Sequence, residues 1–68
     1  MPLDLDNIFG YHAPKGDQPE RYKRIREGAL QFAHTIVENT PESADQTAAI
    51  RKLSECAMTA NAAIAREP

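Results

Sequence analysis

The sequence has little of what usually stabilises a very small domain. Its 68 residues contain a single cysteine, Cys56, so no disulfide can form within the chain. That cysteine and two distant histidines, His12 and His34, do not have zinc-binding spacing. Large apolar side chains are scarce, because 11 of the 28 hydrophobic residues are alanine. A chain this short buries only about 60% of the surface that its unfolded form exposes, so we expect self-association to stabilise it.

Long apolar runs and a strong excess of charge are also missing. No stretch approaches the ~18 apolar residues of a membrane span, and the N-terminal MPLDLDNIF lacks the basic region and apolar core of a signal peptide. We therefore expect a cytoplasmic protein with no membrane contact, which a lone reduced cysteine also fits. The net charge of −2 does not favour DNA or RNA polymers. Five basic residues nevertheless lie between Lys15 and Arg26, which suits a small anion.

Two segments have the apolar periodicity of amphipathic helices. The first is predicted to start near Asp17, which can cap a helix in capping-box spacing with Glu20, and to end at Glu38 or Asn39. Its apolar positions recur at intervals of three and four: Tyr22, Ile25, Ala29, Phe32 and Ile36. Ala33 and Val37 widen this apolar stripe, which we call the seam of the helix.

The second helix is predicted from Ala44 to Arg66, after a turn in which Thr40 and Ser43 can both cap. Its seam is Ile50, Leu53, Ala57, Ala60 and Ile64. These patterns predict one all-α domain: an antiparallel two-helix hairpin over residues 19–66, preceded by an irregular N-terminal arm over residues 1–18. A second stripe on the same helix must also be buried, and other copies of the chain are its simplest cover: Ala49, Cys56 and Ala63.

Catalysis finds little support in the sequence. It has no Ser-His-Asp arrangement, CxxC, HExxH or glycine-rich phosphate loop, so no catalytic residue, metal site or cofactor is predicted. His34 is interpreted as a surface or interface histidine, and Cys56 as a packing residue.

The residues that could bind a ligand fall into two groups. In the first, Tyr11 can either cap the hairpin core or stack on a base with His12 beside it. Arg26 lies at the edge of the apolar seam, where it can snorkel, pair with an acid such as Asp17 or Glu27, or grip a phosphate. Lys23, one turn earlier, would add a second positive charge.

The second group lies near the end of the second helix. Asn61 is a poor helix former in an alanine-rich turn. Its amide can belong to an exposed polar face or, with Thr59 and Arg66 nearby, face a polar cavity on an assembly axis.

In their order and spacing, several of these segments resemble the hairpin domain of phage cyclic-nucleotide sponges, the family of anti-CBASS and anti-Thoeris proteins. The resemblance covers roughly residues 11–66, and its most specific part is M-T-A-N-A-A-I-A-R at 58–66. The other matching segments are Tyr11-His12, Ile25-Arg26-Glu27 and Thr40-Pro41-Glu42-Ser43.

This resemblance implies a homohexamer that sequesters cyclic oligonucleotide immune signals without changing them. It implies that Tyr11 stacks on a base and that Arg26 holds phosphate in a cyclic dinucleotide pocket between protomers. Asn61 and Arg66 would serve a separate pocket for cyclic trinucleotides. Thr59 stands where many relatives carry tryptophan, which implies a different ligand set or C-terminal packing.

Three further interpretations stay open at this point. A sponge for cyclic ADP-ribose-type Thoeris signals is one, although the turn carries no insertion that would extend a pocket for such a ligand. A protein-interaction adaptor would bind a partner helix on an exposed seam and have no affinity for small molecules. A nucleic-acid-binding hairpin would use residues 15–26, and its affinity would fall steeply with salt.

Overall fold

A computed structural model describes residues 16–67, which form two α-helices joined by a short turn. Helix α1 spans Gln18–Asn39 and helix α2 spans Ala44–Ala65. The Gln18 side chain bonds the carbonyl of Ile64 at the far end of the chain, so the helices run antiparallel. The predicted helical hairpin is confirmed. Of the predicted arm, residues 1–15 lie outside the described residues, and Gln18 already belongs to α1.

The start of α1 differs from its sequence prediction in one respect. Asp17 occupies the N-cap position, but its side chain makes no capping hydrogen bond. The carboxylate lies instead 3.3 Å from the Nε atom of Arg21, one turn along the helix. The predicted side-chain cap is therefore wrong: the Asp17 carboxylate forms an ion pair with Arg21 and accepts no hydrogen bond from the backbone of the first turn. Gly16 precedes this turn with φ +51°, a conformation that favours glycine.

The turn between the helices is closed by side chains. Ser43 caps α2 as predicted, accepting a hydrogen bond from the backbone N–H of Gln46 at 3.2 Å. Thr40 terminates α1 rather than starting α2, and its hydroxyl donates to the carbonyl of Ile36. The Gln46 amide reaches back to the Thr40 carbonyl and hydroxyl, at 3.2 and 3.1 Å. These bonds fix the sharp return that the Thr40-Pro41 sequence only suggests.

The two helices meet along the predicted seam, with two corrections. Its positions are half-buried or buried: Ile25, Ala29, Ala33, Ile36, Ile50, Leu53, Ala57, Ala60 and Ile64. Phe32 and Val37, however, remain 56% and 52% exposed. At 100° per residue, each lies at least 60° around α1 from Ala29 at the seam centre. Their side chains therefore lie at the edges of the contact between α1 and α2, which is narrow because many of its residues are alanine.

The hairpin leaves much apolar surface uncovered. Among residues 16–67, only Ile64 is a buried hydrophobic residue, at 8% exposure. Leu30 and Met58 are 61% and 67% exposed. No helix in this part of the chain is long and apolar enough to cross a membrane. The described chain therefore has a narrow contact between two helices and exposed apolar surface on both sides of that contact.

Candidate functional site

A cleft of about 440 Å³ runs along one side of the seam, between α1 and α2. We call it the polar cleft, because Tyr22, Arg26 and Asn61 stand in its walls. Its floor is formed by seam residues from both helices. The full lining is Tyr22, Arg26, Ala29, Leu30, Ala33, Ile50, Leu53, Ser54, Ala57, Met58 and Asn61. Its volume lies in the range of small-molecule sites.

Arg26 is the charged residue of this cleft. Its side chain is exposed and makes no ion pair with any residue between 16 and 67. Asp17 lies beside Arg21 and forms no ion pair with Arg26. The other arginines of α1 are engaged, since Arg21 also pairs with Glu67 and Arg24 lies 3.6 Å from a carboxylate oxygen of Glu20. The Arg26 guanidinium is therefore available for an anion.

Tyr22 is a wall residue that the sequence analysis treated only as part of the seam. It is half-buried and lies one turn before Arg26 on the same side of α1. Residues four apart on a helix are surface neighbours, so an aromatic face and a guanidinium border the same space. This i, i+4 spacing was the signal that could have identified Tyr22 from the sequence.

Asn61 faces Tyr22 across the polar cleft from α2. Its Oδ1 atom is buried and has no hydrogen-bond partner among the described residues. Asn61 is half-buried, so the interpretation of an exposed polar face is wrong. A buried carbonyl oxygen without a donor costs about 1–3 kcal/mol. The chain thus retains a costly acceptor in the same cleft as its available arginine.

The structure brings Arg26 and Asn61 together, although they were assigned to different pockets. Both line the polar cleft of one hairpin. Lys23 lies three residues before Arg26, on the adjacent exposed surface of α1. Like Arg26, it has no ion pair within residues 16–67. Tyr11 and His12 lie outside the described residues.

Thr59 and Arg66 lie away from Asn61 on α2. Residues two apart on a helix do not face each other, and the Thr59 hydroxyl donates to its own helix at the Glu55 carbonyl, 2.8 Å away. Arg66 is the C-cap and follows Thr59 by seven residues, which places both on one face. Neither residue lines the polar cleft. Within one hairpin, Asn61 therefore does not share a face with Thr59 and Arg66.

A second groove of about 210 Å³ lies on the other side of the seam. We call it the small-residue groove, after Gly28, Cys56 and Ala60 in its walls. Gly28 has open space where a side chain would point, and Cys56 is exposed, so it is not packed within a single chain. The full lining is Arg24, Ile25, Gly28, Ala29, Phe32, Leu53, Cys56, Ala57 and Ala60. Small residues of this kind let another helix approach closely.

The histidine and metal predictions can be compared only with the described residues. His34 is exposed on α1 and lines neither cavity. No group of three or more metal-ligating side chains occurs within residues 16–67. What this part of the chain offers is a cation, an aromatic ring and an amide around an apolar floor, an arrangement suited to binding an organic anion.

These features define a small helical-hairpin binding protein. The family model described as the Acb2/Tad1 hairpin domain matches residues 1–65, and the chain belongs to that family. Its members are the anti-CBASS and anti-Thoeris sponges, binding proteins rather than enzymes. Membership implies a phage anti-defence role as a sponge for cyclic nucleotides. Comparison with curated proteins and with solved structures gave no significant match.

Proposed function

We propose that this chain binds and sequesters cyclic dinucleotides such as cyclic GMP–AMP, together with cyclic trinucleotides. CBASS effectors in the cytoplasm of the host bacterium would then receive no signal. The observation that carries the proposal is Arg26, an arginine with no ion pair among the described residues in a cleft that also presents Tyr22 and Asn61. Guanidinium groups bind phosphate with two parallel hydrogen bonds.

In the cyclic dinucleotide site, Arg26 holds a phosphate and Lys23 supplies a second positive charge. Tyr11, with His12 beside it, stacks on a base. The apolar floor of the polar cleft supports this assignment, because a base buries its faces while its phosphates remain near water and cations. Family membership supports the ligand class, since the family consists of sponges for cyclic nucleotide signals.

In the cyclic trinucleotide site, Asn61 reads a base edge and Arg66 binds phosphate, with Thr59 beside them. Thr59 and Arg66 lie on one face of α2, whereas Asn61 lies in the polar cleft. These residues therefore converge only when different copies of the chain contribute them. The proposal thus requires a homo-oligomer, which we take to be a hexamer.

The exposed surface supports this assembly. Four large hydrophobic side chains of the two helices are more than half exposed: Leu30, Phe32, Val37 and Met58. Burial of such surface against other copies is a usual source of stability for a chain this small. Because the small-residue groove lacks an unpaired charge among its lining residues, it suits contact with another copy better than contact with an anion.

The ligand class is tested with a panel of cyclic GMP–AMP, cyclic triadenylate and a cyclic ADP-ribose isomer. We expect the first two to raise the Tm of the protein and to give saturable heats in calorimetry. If only the ADP-ribose isomer bound, the chain would be a sponge for Thoeris signals and not for CBASS signals. Absence of binding to every member of the panel, with capture of a helical protein partner, would favour an adaptor.

Sequestration is distinguished from catalysis by recovering the ligand. The protein is loaded with cyclic GMP–AMP, freed of excess ligand and then denatured. We expect intact cyclic ligand in proportion to protein, able to activate an effector again. Hydrolysis of a phosphodiester needs a positioned base and acid or a metal-bound water. Linear product exceeding the number of protein sites would contradict the proposal.

A further inference from the structure

The most buried point of the described chain is the open end of the hairpin, not its middle. Gln18 is 5% exposed and Ile64 is 8% exposed, and these are the two buried residues within 16–67. They are bonded to each other, since the Gln18 Nε2 atom donates to the Ile64 carbonyl at 2.9 Å. The start of α1 is thereby tied to the end of α2.

Charged side chains reinforce this tie. Glu67 accepts hydrogen bonds from Gln18, at 3.4 Å, and from the Arg21 guanidinium. Arg21 also lies 3.3 Å from Asp17. The hydrogen bond to Glu67 and the two neighbouring carboxylates raise the pKa of Arg21, so it stays charged. We call Gln18, Arg21 and Glu67 the clasp.

Polar contacts such as those of the clasp add little net stability to a fold. A buried amide must be desolvated, and an apolar residue of the same shape often stabilises a fold equally well or better. Polar contacts of this kind select one geometry, because another register would separate the Gln18 amide from the Ile64 carbonyl and the Glu67 carboxylate. The Nε atom of Arg21 is the exception, since it is buried without a hydrogen-bond partner within residues 16–67. The clasp is therefore better explained by what it holds in place.

Arg66 is the candidate site residue that it holds. The backbone N–H of Arg66 donates to the Ala62 carbonyl at 3.0 Å, and that of Glu67 donates to the Ile64 carbonyl at 3.2 Å. Two anchors of the clasp, the Ile64 carbonyl and the Glu67 carboxylate, thus lie on either side of Arg66. The last turn of a helix frays when nothing holds it.

We propose that Gln18, Arg21 and Glu67 are positioning residues that hold Arg66 in place for the phosphate of a cyclic trinucleotide. This inference rests on the proposed function of Arg66. A preordered arginine binds phosphate more tightly because less conformational freedom is lost on binding. The clasp therefore contributes to affinity without touching the ligand.

Gln18→Leu is the most informative variant. Leucine fills the buried position without the amide, so we expect an unchanged or higher Tm. The Kd for cyclic triadenylate should nevertheless rise roughly 3- to 10-fold, the equivalent of one net hydrogen bond. If Gln18 only stabilised the fold, the Kd would not rise while the Tm stayed unchanged or increased.

Glu67 provides a second test with an internal rescue. Glu67→Ala removes the shared acceptor and should weaken cyclic triadenylate to a similar extent. Glu67→Gln keeps an oxygen for Gln18 and Arg21, and should restore most of the affinity. The control is Ser43→Ala, which removes the N-cap at the opposite end of the hairpin. It should lower the Tm, since the cap contributes about 1 kcal/mol, but leave the Kd unchanged.

The results separate this inference from the proposed function. If the wild-type chain bound no cyclic trinucleotide, the proposed function of Arg66 would fail, and the positioning role with it. If the wild-type chain bound and Gln18→Leu bound equally well, only the clasp inference would be wrong. If binding weakened only in the variants with a lower Tm, including Ser43→Ala, the clasp would stabilise the fold without positioning Arg66.

Discussion

The two sides of the helix seam share a floor but have different walls. Ala29, Leu53 and Ala57 line both the polar cleft and the small-residue groove. On one side the walls add a tyrosine, together with an arginine and an amide oxygen that have no ion pair and no donor, respectively, within residues 16–67. On the other side they add glycine, alanine, a thiol and an arginine already paired with Glu20.

This difference in the walls is the basis for proposing two roles for one two-helix chain. A floor of alanine and leucine does not select a ligand, because burial of apolar surface is not directional. The walls decide what each side can bind: charge and hydrogen-bonding groups select an anion, whereas small residues permit close helix packing. The following substitutions test this division and are given in order of decreasing effect.

Ala60→Leu should have the largest effect, because it fills the small-residue groove from its own wall. Overpacking of a close helix contact costs about 1–3 kcal/mol, and in an oligomer each copy bears that cost. We expect loss of the wild-type mass in light scattering at micromolar concentration. Ala44→Leu, the same change at the exposed first residue of α2, is the control. An Ala60→Leu protein with unchanged mass and Tm would show that this groove is not a contact surface.

Arg26→Ala should remove the charge of the polar cleft without affecting assembly. A hydrogen bond to a charged group contributes about 1.5–3 kcal/mol, so we expect cyclic GMP–AMP to bind roughly 10- to 150-fold more weakly. Calorimetry measures this change. Arg51→Ala removes an equal charge from an exposed position outside both cavities and should have no effect. Equal losses in both variants would mean that net charge, not the cleft, determines binding.

Asn61→Leu should separate stability from function. The substitution removes a buried oxygen that has no donor within residues 16–67, so we expect about 1 kcal/mol of added stability and a Tm higher by about 4–8 °C. Binding of cyclic triadenylate should be weakened in the same protein. Gln31→Leu, at an exposed position of α1, should change stability by less than about 0.5 kcal/mol. A lower Tm for Asn61→Leu would indicate that the amide is already satisfied in the assembly.

Lys23→Ala should have the smallest effect, because Lys23 lies beside the polar cleft and not in its lining. A charge about 8 Å from a phosphate contributes about 0.5 kcal/mol in water. We expect a two- to threefold weaker cyclic GMP–AMP complex, with the difference vanishing near 1 M salt. Lys52→Ala on α2 is the matched control. A tenfold loss that persisted in high salt would mean that Lys23 contacts the phosphate directly.

Local sequence patterns were sufficient for the two helices and, to within one residue, for their bounds. Intervals of three and four predicted α1 and α2, and Ser43 was correctly identified as a cap, because these features depend on residues within one or two turns of each other. The same patterns singled out Arg26 and Asn61 as unusual. They could not place these two residues in one cleft, because that depends on how distant segments align.

The sequence by itself therefore determined that this protein is a helical hairpin with more apolar surface than it can bury alone, and its motifs identified the family. Only the tertiary structure decided which side of each helix forms a wall and where the ends meet. The Asp17 carboxylate pairs with Arg21 and does not cap its helix, and the Gln18 side chain donates a hydrogen bond to Ile64, 46 residues away. Such pairings follow from the register between two helices, which no local spacing encodes, because register is set by the packing of all seam residues together.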